Sequence, residues 1–245
     1  MRMRKKKNTA GRMEKCAERL CTNPADNKGN WLETYSPDGK YKKLHVEIGC
    51  GKGGFVVGMA KRCPDTLFVA IERVVDVILM ALEKAKEEET ENIVFLSANA
   101  FNLLDYFAPG EIDTVYLNFS DPWPKYRHAR RRLSAPGFLK MYHSLLADDG
   151  LVRQKTDNDD LFAFSLESVP ANGFELLYVT HDLHNELPGE DILPVGNVVT
   201  EYERNFSEKG KNINMLVARK INDFVFPETE DIDTGEDDTD EDGEV

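Results

Sequence analysis

In VEIGCGKGG, Gly49, Gly51 and Gly53 lack a Cβ, so the backbone can turn tightly and come close to a ligand. The segment leaves an apolar β-rich run and opens a helical pattern, where an open α/β sheet places its ligand crevice. Glycines 49, 51 and 54 also satisfy G-x-G-x-x-G, so spacing alone leaves a dinucleotide open. The acids discriminate better. Glu47, two residues before the first glycine, would repel a pyrophosphate but tolerates a cationic sulfonium carrying an amino-acid moiety. Glu72, at the end of VAIER, is placed to accept hydrogen bonds from two ribose hydroxyls, a need that NAD and S-adenosylmethionine share. Its structural alternative is a pair with Arg73 or a nearby lysine. In SANAF, Asn99 is placed to read an adenine edge, with Ala98 and Ala100 leaving room for the ring; the alternative is a cap for a helix starting near Phe101.

NFSDPWPKYRHARRRL is more specific. Pro122 and Pro124 stiffen the turn, so Asp121 and Trp123 are presented with little freedom, and a rigid acid beside an aromatic suits a planar base. Lys125, Arg127, Arg130, Arg131 and Arg132 follow, five cations placed to meet phosphates; the alternative is a solvated cationic loop. His181 and His184, in HDLH, have no Cys or His cluster beside them and read as ordinary loop histidines, so no metal is expected.

These segments need a scaffold. Apolar β-rich runs at 44–49, 67–73, 93–98, 113–119, 150–156, 174–180 and 213–219 alternate with helical patterns at 53–62, 74–88, 101–106, 137–146, 158–171 and 201–208. Such alternation predicts an α/β fold, a mainly parallel seven-stranded sheet with an antiparallel C-terminal strand and helices on both faces. In the second helix, Val74, Val77, Ile78, Ala81 and Ala85 recur at helical spacing and are expected to be core.

A length of 245 residues suits one core with tails. No apolar run is long enough to span a membrane and no signal-peptide pattern opens the chain, so a cytoplasmic protein is expected. Cys16, Cys21, Cys50 and Cys63 form no disulfide framework or C-x2-C pair and are expected to be reduced thiols. The net charge of −13 argues against a polyanionic partner until its distribution is read. Met1 to Arg19 carries +6, Glu228 to Val245 carries −11, and −8 remains between. The expected organisation is a basic arm over 1–30, a core domain over 31–220 and a disordered acidic tail over 228–245.

Taken in order, EIGCGKG, AIER, NFSDPWPK with RHARRRL, KTDN (155–158) and TEYE (200–203) resemble the tRNA (guanine-N7-)-methyltransferases over roughly residues 30 to 220. The resemblance implies a Rossmann-like S-adenosylmethionine-dependent fold, with Glu47, Glu72, Asn99 and Asp121 on the cofactor side. It also implies Lys125, Asp157, Thr200 and Glu203 on the substrate side. The implied reaction forms 7-methylguanosine in tRNA, at position 46 of the variable loop, and releases S-adenosylhomocysteine. The family often carries an aspartate where this chain has Asn99, which keeps an acceptor and removes a charge. A monomer and a homodimer both fit.

Guanine N7 has a lone pair and no proton, so the nucleophile needs no general base and positioning should dominate. The catalytic assignments are Asp121 and Asp157, holding the guanine by accepting from N1 and N2, with Glu203 as substitute. The structural alternatives are a turn acid for Asp121 and helix N-caps for Asp157 and Thr200. Two rival functions are a methyltransferase for small molecules or proteins and an RNA-binding protein that keeps the fold without turnover.

Overall fold

The computed structural model describes residues 9–227. The basic run MRMRKKK and the acidic stretch from Glu228 onward therefore lie outside the described residues. Seven strands form one sheet: β1 (Lys43–Ile48), β2 (Thr66–Glu72), β3 (Ile93–Ser97), β4 (Ile112–Asn118), β5 (Leu146–Thr156), β6 (Phe174–Thr180) and β7 (Asn214–Lys220). Their order is β3-β2-β1-β4-β5-β7-β6. The first five run parallel, and β7 is antiparallel between β5 and β6, as the expected fold class requires. β5 begins at Leu146, earlier than its apolar run at 150.

A strand covered on both faces must be apolar throughout, and β2, TLFVAIE, is buried at every position but its last. The covering helices are α1 (Thr9–Glu14), α2 (Trp31–Tyr35), α3 (Gly54–Arg62), α4 (Val75–Glu87), α5 (Leu103–Tyr106), α6 (Pro136–Leu145), α7 (Asp159–Ala171) and α8 (Glu201–Ser207). On one face α3 and α4 bring Phe55, Val56, Ile78 and Leu82 against Phe68, Phe95 and Tyr116. On the other, Leu139 and Tyr142 of α6 and Phe162 of α7 pack against Val46, Val69 and Val115.

Chain order reverses between β1 and β4, so adjacent connections leave in opposite directions and open a crevice beyond the carboxyl ends of those strands. The stripe expected along α4 is corrected at its start. Val74 is 45% exposed, because it is the residue before the helix and not part of its inner face, and half-buried Val77 lines the crevice. Leu79 and Leu82 complete the buried face instead.

Residues 9–35 were not anticipated as ordered elements. Their segments are short, and only tertiary contacts stabilise helices of that length. Arg12 pairs with Glu83 of α4, Leu20 forms a parallel bridge to Phe95 on the outer edge of β3, and fully buried Trp31 donates from Nε1 to the Tyr106 carbonyl at 2.9 Å. The bridge covers part of an otherwise unpaired strand edge.

Candidate active site

A cleft of roughly 350 Å³ opens at the reversal point, between the glycine loop, the end of β4 and the start of α8. Gly49 and Gly51 line it with φ of +78° and +55°, and a Cβ on either would meet no atom within 4 Å, so their bare faces look into open space. Gly53 does something else. At φ +75°, its Cβ position lies 2.8 Å from the Ala81 Cβ, so this glycine lets the start of α3 press against α4 and does not line the cleft. Gly54 takes that place in the lining.

Glu47, near the end of β1, is 2% exposed and forms part of the wall. Its Oε1 accepts from Asn118 Nδ2 at 3.0 Å, while Oε2 has no hydrogen-bond partner. Burial pushes the carboxyl up to about 7, against the opposing pull of Asn118, the charge of Lys155 and the nearby Val56 backbone amide. An unpartnered buried carboxylate oxygen is costly unless a donor or cation meets it. Glu72, closing β2, accepts from the Gly51 and Val74 amides at 3.2 and 2.9 Å. It therefore shapes the glycine loop from behind the lining, and its structural partners are amides rather than Arg73. Asn99 is exposed, lies away from the lining and accepts from the Phe101 amide at 3.2 Å, the capping alternative.

The acid after β5 reaches the cleft through one residue. Asp157 Oδ1 accepts from the Tyr202 hydroxyl over a long 3.5 Å. Burial, then the charge and hydrogen bond of Asp157 and the charge of Asp121, raise the Tyr202 phenol above its ordinary value. Asp157 is not a helix cap. Asn158 caps α7, accepting from the Leu161 amide at 2.8 Å. The loop between β4 and the basic segment is strained, with non-glycine residues Phe119 and Trp123 at φ of +54° and +42°, a cost usually retained where a site needs the geometry.

Residues 41–216 match the family model described as "Putative methyltransferase". The "tRNA (guanine-N(7)-)-methyltransferase" of Lachnoclostridium phytofermentans is 46% identical over 195 residues, covering 80% of this chain and 87% of that one. The protein of the same name from Bacillus subtilis strain 168 is 43% identical over 213 residues, covering 87% and 96%. The chain belongs to the tRNA (guanine-N(7)-)-methyltransferase family. Among solved structures, the 16S rRNA methyltransferase KamB superposes with a TM-score of 0.56 at 14% identity, over 78% of this chain and 92% of that one. The aminoglycoside resistance methyltransferase NpmB1 gives 0.53 at 18%, over 79% and 93%. At these identities the likeness concerns the Rossmann-like methyltransferase fold alone.

Within this family member, Thr200 and Glu203 hold their spacing for a structural reason. Thr200 Oγ1 accepts from the Glu203 amide at 3.0 Å and Glu203 returns toward the Thr200 amide, a capping box that starts α8. Glu203 is fully buried and both oxygens are engaged: Oε2 with Lys155 Nζ at 2.6 Å, Oε1 with Asn197 at 2.8 Å and His184 at 2.9 Å. Burial pushes its carboxyl up, but the charge of Lys155 and the hydrogen bonds of Lys155, Asn197 and His184 outweigh that and hold it below the ordinary range. Lys155 is itself pulled below its ordinary value by burial, against the charge of Glu203. A carboxylate so occupied is not available to guanine, which removes Glu203 as a substitute for Asp121 or Asp157.

The basic segment divides in two. Lys125, Arg127 and Arg130 are exposed. Arg132 turns back to donate to the Pro122 and Trp123 carbonyls at 3.0 and 3.1 Å, and Arg131 lies over the Trp123 ring at 5.1 Å. Lys155, Asn118 and Tyr202 were missed as site residues. A lysine amid the buried end of β5 was the available signal for the first, whereas Asn118 and Tyr202 gain meaning only from neighbours distant in sequence. Among the described residues no His, Cys, Asp and Glu group could hold a metal.

Proposed function

We propose that the chain transfers a methyl group from S-adenosylmethionine to N7 of a guanine in tRNA, with the variable-loop guanine at position 46 as target and S-adenosylhomocysteine as by-product. The observation that carries the reading is Tyr202, which lines the cleft and donates to Asp157. Tyr202 therefore joins the cleft to an acidic acceptor suited to a base.

The cleft suits the cofactor chemically: an unpartnered Glu47 oxygen awaits a cationic or N–H group, and the glycine faces leave room for close approach. Glu47, Gly49 and Gly51 would hold it, with Glu72 fixing the shape of the glycine loop from behind. When bound, it supplies an electrophilic methyl on a sulfonium. The protein's residues have a positioning task, because N7 presents its lone pair without losing a proton. Asp157 and Asp121 accept from the guanine N1 and N2 donors, and their charge favours the cation that methylation leaves on the ring. Lys125, Arg127 and Arg130 meet backbone phosphates, a reading that disfavours a small-molecule substrate. No helix among the described residues is long and apolar enough to cross a membrane, and a tRNA substrate suits a cytoplasmic enzyme.

The test incubates full-length protein with unmodified tRNA and methyl-labelled S-adenosylmethionine, followed by nucleoside analysis. Label in 7-methylguanosine, lost when G46 is replaced by adenosine, is the expected result. Label in another nucleoside, or none, overturns the assignment.

A further inference from the structure

Tyr126 is 95% exposed, the most exposed large hydrophobic side chain among the described residues, and it makes no ring or hydrogen-bond contact there. It is not on a slack loop. It opens a 3-10 turn, Tyr126–Arg131, closed by the His128 and Arg132 amides on the Lys125 and Ala129 carbonyls. Arg132 ties that turn to the carbonyls of Pro122 and Trp123 and rests over Phe164 of α7 at 4.5 Å. The ring is thus held out into solvent by a docked platform, with exposed Lys125 and Arg127 on either side.

Trp123, the aromatic that sequence reasoning favours as a base receptacle, is already committed. Arg131 covers its ring at 5.1 Å and His128 meets it at a right angle at 5.8 Å. We propose that Tyr126, and not Trp123, is the stacking platform of the basic loop, taking an unpaired tRNA nucleobase outside the methylation cleft. The inference rests on the tRNA reading above. Single-stranded nucleic acid is commonly held by cations that follow the backbone while an aromatic face stacks a base. The segment KYRHARRRL contains no acid, so it attracts phosphates and repels the same face of a second copy.

The experiment compares Tyr126→Ala, Tyr126→Phe and Lys125→Ala with wild type in equilibrium binding to unmodified tRNA at several salt concentrations. Tyr126→Ala should raise Kd roughly 5- to 150-fold, the range for losing one stacked base, with an unchanged salt slope and unchanged cofactor affinity. Tyr126→Phe should stay within about twofold, and Lys125→Ala should lower the slope by about one phosphate contact. Affinity of Tyr126→Ala equal to wild type overturns the proposal, as does a phenylalanine variant as weak as alanine. Self-association in wild type that disappears in Tyr126→Ala while tRNA affinity is kept assigns the ring to a second copy instead. Failure of wild type to make 7-methylguanosine overturns the parent reading separately, whatever the Tyr126 variants do.

Discussion

Replacing Glu47 by glutamine keeps the shape of the side chain and an acceptor for Asn118, but removes its titration. In the folded protein the carboxyl holds its proton up to about 7, against 4.5 ordinarily. Between those values the native state binds more protons than the unfolded chain, so stability falls as pH rises through the window. From pH 5 to pH 8 the loss attributable to Glu47 is on the order of 2 to 3 kcal/mol, at about 1.4 kcal/mol for each pH unit over which only the native state is protonated. Other carboxylates, including those beyond Glu228, titrate in both proteins and cancel in the difference. The assay is urea unfolding of wild type and Glu47→Gln at pH 5 and pH 8 without cofactor, with stability taken from midpoint and slope. Wild type should lose about 2 to 3 kcal/mol more than the variant across that interval. Parallel pH dependence in the two proteins, within about 0.5 kcal/mol, would refute the reasoning and mean that the second carboxylate oxygen has a partner after all.

Asp157→Asn replaces a charged acceptor with an amide and should lower kcat/KM for tRNA about 10- to 100-fold while cofactor affinity is kept, measured by initial rates and equilibrium titration. Lys155→Met leaves Glu203 buried without its cation and should destabilise by about 3 to 5 kcal/mol. The double variant Lys155→Met/Glu203→Gln should recover part of that loss in the same urea assay. Gly53→Ala meets both a φ of +75° and the Ala81 Cβ at 2.8 Å, and should cost about 2 to 4 kcal/mol in the unfolding free energy. Gly54→Ala, whose nearest contact is Thr200 at 3.9 Å, should unfold within about 0.5 kcal/mol of wild type.

Periodicity made the seven strands and the six helices from α3 onward legible, because the faces an element buries are written into its local spacing. The glycine loop and the strand-end acids were legible for a related reason: in an open sheet the carboxyl end of a strand is a fixed place relative to the crevice. The short elements before β1 were not, since Arg12, Leu20 and Trp31 acquire their roles from Glu83, Phe95 and Tyr106, residues far along the chain.

What sequence alone determined is therefore the elements from β1 onward and the residues standing at their ends. Tertiary structure decided which of those residues could still act. Glu203 and Thr200 read as substrate contacts, yet packing buries Glu203 against Lys155 and makes both residues the start of α8. Asp157 had a helix cap as its alternative, yet Asn158 caps and leaves Asp157 beside Tyr202. Of five cations in one run, Arg131 and Arg132 fold back onto Trp123 and its loop. In each case the deciding partner lies on another element or across a turn, and local pattern encodes which way a side chain faces but not what it meets there.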